Sequence, residues 1–270
     1  MSKIVFITGI SSGFGKHTAM FLAERGHKVF GTSRKEIEHD PRVNVLYLDV
    51  TDLAAVENAI KSVIEKEGRI DVLINNAGMH TGGAIEVTPY DDIRKQIDTN
   101  LFGAIHTIRA VLPFMRKQGT GTIINISSIG GLMGLPFQGF YSASKFAIEG
   151  LSEALRMELK QFKIKVVLIN PGDFHTRNTA NRKNVYVRDE NNAYEDQFKK
   201  SLSIIEKDEN GGWTPEILAR KMVKIVESKN PCNRYVIASF EQKLAVVLNY
   251  ILPGSWFAKI LEDHYGIKGK

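Results

Sequence analysis

Tyr141 and Lys145 are the residues whose types and spacing most directly suggest acid–base chemistry. They lie four positions apart in a segment that the sequence predicts to be helical, so their side chains share one helix face. A phenol has a reference pKa of about 10 and exchanges protons poorly near neutrality. A neighbouring ammonium favours the phenolate, so the pair predicts proton transfer to or from a substrate oxygen, with a lowered tyrosine pKa.

Two further polar residues complete a candidate set. Ser128 lies 13 positions before Tyr141, after a predicted strand, and Asn100 lies within the preceding long predicted helix. A serine hydroxyl can polarise a substrate oxygen on which charge develops. Each residue also has a plain interpretation: a turn cap, a helix cap, a packed aromatic or a solvated charge. Only the four together support a catalytic interpretation.

A glycine-rich turn upstream predicts a nucleotide site. Residues 8–15 read T-G-I-S-S-G-F-G and follow a short apolar strand. Glycine lacks the Cβ that would hold the backbone away from a pyrophosphate, and it tolerates positive φ in a tight turn. The helix predicted to begin near Gly13 directs free amide groups at the same anion. The turn is therefore predicted to cradle a dinucleotide, and not to serve only as a structural turn.

The spacing T-G-x-x-x-G-x-G, with three later motifs in order, resembles the short-chain dehydrogenase/reductase family. The later motifs are N-N-A-G at residues 75–78, Asp49 after the third predicted strand, and P-G at residues 171–172 with Thr176 beyond. The resemblance covers residues 3–176 and implies a nicotinamide cofactor and a catalytic set of Asn100, Ser128, Tyr141 and Lys145. The cofactor-binding residues that it and the local pattern indicate are Gly9, Ser11, Ser12, Gly13, Gly15, Ser33, Arg34, Asp49, Val50, Asn76, Ala77, Gly78, Tyr141, Lys145, Pro171, Gly172 and Thr176.

The same resemblance assigns roles within the site. Lys145 would hold the nicotinamide ribose, and Asn100 would anchor a water that relays protons from Lys145 towards solvent. Family members commonly pair through two long helices, here near residues 90–117 and 140–162, so a homodimer or homotetramer is expected.

The end of the second predicted strand distinguishes between the two nicotinamide cofactors. NAD-binding sites usually place an acidic residue there to accept hydrogen bonds from a ribose. This chain has Ser33, Arg34 and Lys35 instead. A guanidinium can hold a 2′-phosphate through two hydrogen bonds, whereas a carboxylate would repel it. The sequence predicts NADP(H) rather than NAD(H), unless Arg34 is an ordinary solvated charge.

Apolar strands and amphipathic helices alternate along the chain, which predicts an α/β fold. Strands that are apolar throughout belong to a parallel sheet covered by helices on both faces. No linker or repeat divides the sequence, so residues 1–270 are predicted to form a single doubly wound, Rossmann-type domain. The predicted strands are residues 3–8, 28–33, 43–48, 71–75, 121–127, 164–170 and 235–238.

Two segments depart from this rhythm. Residues 177–212 are polar without a clear period and follow the end of a strand, which favours a substrate lid over a partly disordered loop. The tail at residues 241–265 is unusually apolar. It is predicted to be a packed helix or a subunit contact rather than an interfacial membrane helix, and Pro253–Gly254 argues against a spanning helix.

Residues 130–137 and the segment around Tyr141 look particularly similar to the hydroxysteroid and retinol dehydrogenase branch. This implies interconversion of an apolar alcohol and its ketone or aldehyde. Five apolar residues could line the substrate pocket, although core packing is their usual fate. They are Leu132, Met133, Leu135, Phe137 and Phe174. The alternative function is a catalytically idle NADP(H)-binding regulator, which would be expected to lack Ser128, Tyr141 or Lys145.

Composition excludes several other classes. The charge of +6 favours anionic partners, but the basic residues are interleaved with acids, so no nucleic-acid partner is predicted. A single cysteine, Cys232, permits no intrachain disulfide. No metal site and no transmembrane segment are predicted, and the expected location is cytoplasmic.

Overall fold

The computed structural model describes residues 2–176, 182–185, 193–267 and 269, and in these residues seven strands form one parallel sheet. The strand order is β3-β2-β1-β4-β6-β7-β9. A second, two-stranded pairing joins β5 to β8. The strands are β1 Ile4–Ile7, β2 Lys28–Ser33, β3 Val43–Tyr47, β4 Val72–Asn75, β5 Thr81–Gly82, β6 Gly121–Ile126, β7 Ile164–Pro171, β8 Lys183–Asn184 and β9 Arg234–Ile237.

Helices cover both faces of the large sheet, as the apolar strands require. Successive residues of β1 point to opposite faces, so Val5 and Ile7 pack in one core cluster and Ile4 and Phe6 in the other. Helices α1 and α7 contribute to the first cluster, and α2, α4 and α5 to the second. The helices are α1 Gly13–Glu24, α2 Leu53–Glu67, α3 Tyr90–Ile97, α4 Gly103–Gln118, α5 Gly139–Leu159, α6 Glu195–Gly211, α7 Pro215–Glu227, α8 Phe240–Ile251 and α9 Gly254–His264.

The sheet has a switch point that positions a ligand crevice. Strand β1 pairs with β2 on one side and with β4 on the other, so the connections leaving these strands run in opposite directions. In sheets of this kind the crevice lies beyond the carboxyl ends of the strands at that point. The glycine turn and the N-N-A-G segment both begin there, after β1 and β4. The predicted doubly wound, Rossmann-type parallel sheet with helices on both faces is confirmed.

The long helix predicted over residues 90–117 is wrong in one respect, because it is not continuous. A π-helical turn, Asp98–Phe102, separates α3 from α4. The Asn100 side chain accepts a hydrogen bond from Met79 N at 2.8 Å and donates to Met79 O at 3.0 Å. These long-range bonds favour the extra residue in the turn, and such π turns are frequent at functional sites.

The polar segment 177–212 contains order that its sequence pattern did not indicate. Strand β8 pairs with β5, and α6 occupies residues 195–211 with Phe198, Leu202 and Ile205 buried. The rest of the predicted lid, residues 177–181 and 186–192, lies outside the described residues. The apolar tail forms two helices, α8 and α9, whose Val246 and Phe257 are buried. Among the described helices, none is long and apolar enough to cross a membrane.

Candidate active site

The glycine turn packs so closely against neighbouring backbone atoms that Gly9 and Gly15 leave no room for a side chain. A Cβ at Gly15 would lie 2.2 Å from Gly9 O. Gly9 has a φ of +73°, and a Cβ there would lie 2.8 Å from Ala77 Cα. Gly13 has a φ of +54° and opens towards Thr176. The turn is therefore shaped by backbone contacts, and it leaves the N-terminus of α1 free to face an anion.

Thr8 and Asn76 join the glycine turn to the end of β4. The Asn76 side chain donates to Thr8 O and Gly9 O, both at 2.9 Å. Thr8 Oγ1 accepts from the amide groups of Asn76 at 3.0 Å and Ala77 at 2.9 Å. The sequence analysis names Asn76 as a cofactor-binding residue, whereas Thr8 enters it only as the first residue of the glycine motif. Together they hold the two walls of the crevice at a set distance.

Ser33 and Arg34, which are predicted to select the cofactor, lie at the carboxyl end of β2 and line the ligand crevice. The Ser33 hydroxyl donates to Lys35 O at 2.6 Å and so caps the turn after β2. Arg34 is exposed, and its nearest carboxylate oxygen, on Asp49, is 3.8 Å away. Asp49 in turn accepts from Thr51 N and Oγ1 at 2.9 and 2.8 Å. Arg34 is thus held only loosely, which leaves its guanidinium free to contact a phosphate.

Ser128, Tyr141 and Lys145 converge in the same crevice, beyond the carboxyl end of β6. A Cβ at Gly130 would lie 3.5 Å from both Ser128 Oγ and Tyr141 Cε1, so the two side chains flank the same point. Lys145 Nζ lies 5.7 Å from the centroid of the Tyr141 ring and donates to Ile126 O at 3.0 Å. The helical spacing of Tyr141 and Lys145 therefore places both on one face of α5, as predicted.

Burial shifts the pKa values of both members of this pair. Burial raises the pKa of Tyr141, and the contact with the Ser128 hydroxyl only partly opposes that shift. Burial also lowers the pKa of Lys145, from 10.5 to about 8. The side chains of the chain alone do not lower the tyrosine pKa, because desolvation outweighs the hydrogen bond from Ser128 and the positive charge of Arg182. Tyr141 is therefore held as a neutral phenol.

Asn100 lies behind the cleft rather than on its surface. Besides the two bonds to Met79, its side chain donates to Ser144 Oγ at 3.0 Å. A Cβ at Gly78 would lie 3.3 Å from Asn100 Oδ1 and 3.9 Å from Lys145 Nζ. Asn100 thus links the N-N-A-G loop to α5. Its role in a proton relay remains a prediction.

One continuous cleft of about 1570 Å³ brings the candidate residues together. Of the residues predicted to bind cofactor or act in catalysis, all but Gly15 and Asn100 line it. Gly15 packs beneath the turn, and Asn100 lines a small adjacent space. Within the described residues, no group of three or more acidic, histidine or cysteine side chains could hold a metal ion.

A family model described as short chain dehydrogenase matches residues 3–186. The 3-ketodihydrosphingosine reductase of Bacteroides thetaiotaomicron is 48% identical over 98% of this chain and 99% of that protein. The chain belongs to the short-chain dehydrogenase family. Human 17-beta-hydroxysteroid dehydrogenase type 1 is 38% identical over 64% of this chain and 57% of that protein. The predicted family and its resemblance to the hydroxysteroid branch are confirmed.

Solved structures of short-chain dehydrogenases match the fold along most of the chain. A short-chain dehydrogenase from Streptomyces avermitilis has a TM-score of 0.80 at 31% identity, covering 97% of each chain. ElxO, solved with NADP bound, has a TM-score of 0.71 at 28% identity, covering 88% of this chain and 96% of the other. The protein is therefore an oxidoreductase built on a Rossmann-type domain.

Within this short-chain dehydrogenase, the pocket wall differs from the expected one. Met133, Leu135 and Phe174 line the cleft as predicted. Leu132 instead packs with the tail helices, and Phe137 packs on Phe198 of α6 with ring centroids 5.3 Å apart. Residues 130–137 do not form one wall of the pocket, because the tail helices and α6 cover part of that segment.

Two supporting residues were missed because their partners are distant in sequence. Asn170 donates to Ser128 O at 3.0 Å and to Glu149 Oε1 at 2.6 Å, which orients the loop carrying the serine. His80 stacks on the Tyr141 ring with centroids 4.2 Å apart. The histidine directly follows the N-N-A-G-M segment, and that position was the only local signal available.

Proposed function

We propose that this short-chain dehydrogenase is an NADPH-dependent reductase of a long-chain ketone, with 3-ketodihydrosphingosine as the substrate class. The observation that carries the proposal is the convergence of Ser128, Tyr141 and Lys145 in the same cleft as the glycine turn. The extent of similarity to the Bacteroides reductase, nearly end to end, supports the substrate class.

The cofactor is NADP(H), and the cleft offers a fitting group at each part of it. The glycine turn and the N-terminus of α1 would hold the pyrophosphate, and Asp49 and Val50 the adenine. Arg34 and Ser33 would hold the 2′-phosphate, while Lys145, Pro171, Gly172 and Thr176 would surround the nicotinamide riboside. When bound, the reduced nicotinamide supplies the hydride that the protein side chains cannot. The NADP-bound relative ElxO supports this choice.

Tyr141 would supply the proton in ketone reduction. A ketone that gains a hydride becomes an alkoxide, and the phenol O–H can protonate it directly. The raised pKa of Tyr141 keeps that proton in place until negative charge develops on the substrate oxygen. The Ser128 hydroxyl would donate a hydrogen bond to the same oxygen and stabilise the charge. These roles suit reduction better than oxidation.

Lys145 would return a proton to the site after each turnover. Its lowered pKa of about 8 lets the amine exchange a proton near neutral pH, unlike an exposed lysine. Its Nζ is anchored on Ile126 O, beside the carboxyl end of β6. Asn100 would hold the relay towards solvent that the family resemblance implies.

The apolar part of the cleft suits a long aliphatic chain. Apolar side chains from α6 and from both tail helices line another part of the cleft that contains Tyr141. These are Ile205, Leu244, Leu248, Ile260 and Leu261. Apolar contact of this kind contributes roughly 0.8 kcal/mol for each buried methylene. Residues 177–212 would act as the substrate lid. The idle-regulator alternative lacks support, since Ser128, Tyr141 and Lys145 are all present.

Purified protein, NADPH and a set of ketones would test the proposal. We expect 3-ketodihydrosphingosine to be reduced with a kcat/KM at least about tenfold above those of estrone and retinal, measured by loss of nicotinamide absorbance and by mass spectrometry of the product. Tyr141→Phe should lower kcat by about 100-fold or more while NADPH affinity is nearly unchanged, because only the acidic hydroxyl is lost. Faster reduction of the steroid or retinoid would contradict the assignment.

A further inference from the structure

The cleft contains carboxyl groups that ketone reduction does not require. Asp173 follows β7, and Asp208 and Glu209 lie near the end of α6; all three line the cleft with Tyr141. Asp208 pairs with His264 at 3.0 Å, and Glu209 pairs with Arg182. The Asp173 carboxylate accepts from the neutral amide of Gln242. In the described ranges no cation lies within ion-pair distance of Asp173.

These carboxyl groups act on the reacting tyrosine. Glu209 and Asp173 both raise the pKa of Tyr141, so they lie within electrostatic reach of its hydroxyl. The pKa of Asp173 itself is raised to about 6, by burial and then by Glu209 and Asp208. A second negative charge near a buried carboxylate is unfavourable unless a cation approaches. Asp173 itself has no ion-pair partner among the described residues, because the Arg182 guanidinium pairs with Glu209 and the His264 ring pairs with Asp208.

His80 provides a second, independent observation beside the same carboxyl groups. Its side chain is 4% exposed, lines the cleft, and stacks on Tyr141. Arg182 Nε–H points to His80 Nδ1 at 3.4 Å, which leaves Nε2 as the donor of the neutral ring. Neither His80 Nε2 nor Glu209 Oε2 has a hydrogen-bond partner in the part of the chain that the structure describes. Buried polar groups of this kind normally have partners.

We propose that Asp173 and Glu209 form a subsite for a protonated amine on the carbon next to the substrate ketone, with His80 Nε2–H donating to a neighbouring substrate hydroxyl. A 2-amino-1-hydroxy-3-ketone carries both groups, so its ammonium would pair with Asp173 and Glu209 Oε2 and its hydroxyl would accept from His80 Nε2–H. The subsite rests on the proposed function and narrows its substrate class. A steroid or retinoid carbonyl has no such amine.

The test compares two substrates that differ only at the amine. One is 3-ketodihydrosphingosine, and the other is the same 1-hydroxy-3-ketone with hydrogen in place of the amino group. In the wild-type enzyme with NADPH, we expect kcat/KM to be about 10- to 100-fold higher for the amine-bearing ketone, the range for hydrogen bonds to charged groups. In Asp173→Asn that ratio should fall to within about threefold of unity, because a neutral amide replaces the carboxylate that would pair with the amine.

Matched variants separate the subsite from general damage. Glu209→Gln should reduce the ratio in the same direction. Glu206→Gln removes a carboxylate from the same helix but outside the cleft lining, so the ratio should not change. A wild-type ratio near one, or a high ratio that survives both Asp173→Asn and Glu209→Gln, would overturn the subsite and leave ketone reduction intact. Failure to reduce either ketone would instead refute the proposed function.

The amine preference should also depend on pH. The titratable groups facing Asp173 are Glu209 and Asp208 from α6, His264 from α9, Tyr265 directly after α9, Tyr141 from α5, and Arg182. Because the pKa of Asp173 is raised to about 6, its carboxylate is charged above that pH and protonated below it. The ratio of kcat/KM values should therefore fall as pH decreases through about 6 in the wild type. In Asp173→Asn it should stay flat over that range.

Discussion

At the scale of single residues, burial determines the chemistry of the two central side chains. Tyr141 is desolvated and stays a phenol, while Lys145 is desolvated and gives up its proton more easily than an exposed lysine. Both shifts favour the uncharged forms, as expected where water is excluded. The pair is thus prepared to donate a proton to a reduced ketone. Burial of the Lys145 amine also lowers the free energy of unfolding at pH values where the unfolded chain holds that proton.

Lys145→Met makes that cost measurable. Between pH 8 and 10.5 the unfolded chain binds a proton at residue 145 that the folded chain has released, because the folded pKa is about 8. The free energy of unfolding of the wild type should therefore rise with pH in this window, by up to about 1.4 kcal/mol per unit, relative to Lys145→Met. Urea unfolding of both proteins at the two pH values measures the difference.

The control is Lys61→Met, at an exposed position on α2. Its difference from the wild type should be the same at both pH values. A Lys145→Met difference that is equally independent of pH would show that burial does not perturb this amine.

At the scale of elements, the crevice depends on two irregular turns. The glycine turn after β1 permits backbone contacts that no side chain would tolerate. The π turn before α4 aims Asn100 at Met79 and Ser144, so that the N-N-A-G loop and α5 are joined. Regular helices and strands supply the frame, and these turns set the distances within the site.

Gly15→Ala should disrupt the first of these turns. The added methyl group would lie 2.2 Å from Gly9 O and 2.5 Å from Asn76 Nδ2, so the turn must move. We expect NADPH binding to weaken by about 2 to 4 kcal/mol, roughly 30- to 1000-fold in Kd, measured by fluorescence titration. Gly150→Ala, in α5 with open space around it, should instead stabilise the fold by about 0.5 to 1 kcal/mol. Unchanged NADPH affinity in Gly15→Ala would contradict this account of the turn.

At the scale of the whole molecule, two exposed apolar faces stand out. One lies on the long helices and includes Phe146 and Met157, which are 46% and 73% exposed. The other lies on the tail helices, where residues spaced along the outer side of α8 are exposed opposite its buried side. Its members are Phe240, Val247 and Ile251 on α8, with Trp256 on α9. Faces of this kind mark contact surfaces in water-soluble proteins.

We expect subunits to pair through the long helices, as the family resemblance implies. Met157→Glu on α5 should then reduce the mass measured by sedimentation equilibrium towards the 30.2 kDa monomer, because a charge would be buried in the contact. Val247→Glu on α8 should leave the mass unchanged. The reverse result would place the subunit contact on the tail, and circular dichroism would confirm that both variants remain folded.

Much of the frame could be predicted from sequence because its signals are local. The run of apolar strands predicted a parallel sheet, and the glycine spacing predicted the turn after β1. Tyr141 and Lys145 needed only helical spacing to share a face. Helix α6 was not predicted because its buried apolar residues are separated by many charged ones. These apolar residues are buried only through tertiary packing, such as that of Phe198 on Phe137.

The sequence by itself determined the family, the sheet and the presence of a serine, tyrosine and lysine in one crevice. Only the tertiary structure decided the protonation of Tyr141, the π turn at Asn100, and the meeting of His80 with Arg182, which lies 102 positions away. The physical reason is that motifs depend on neighbours along the chain. Desolvation and charge pairing depend on neighbours in space, and these come from elements that no local pattern brings together.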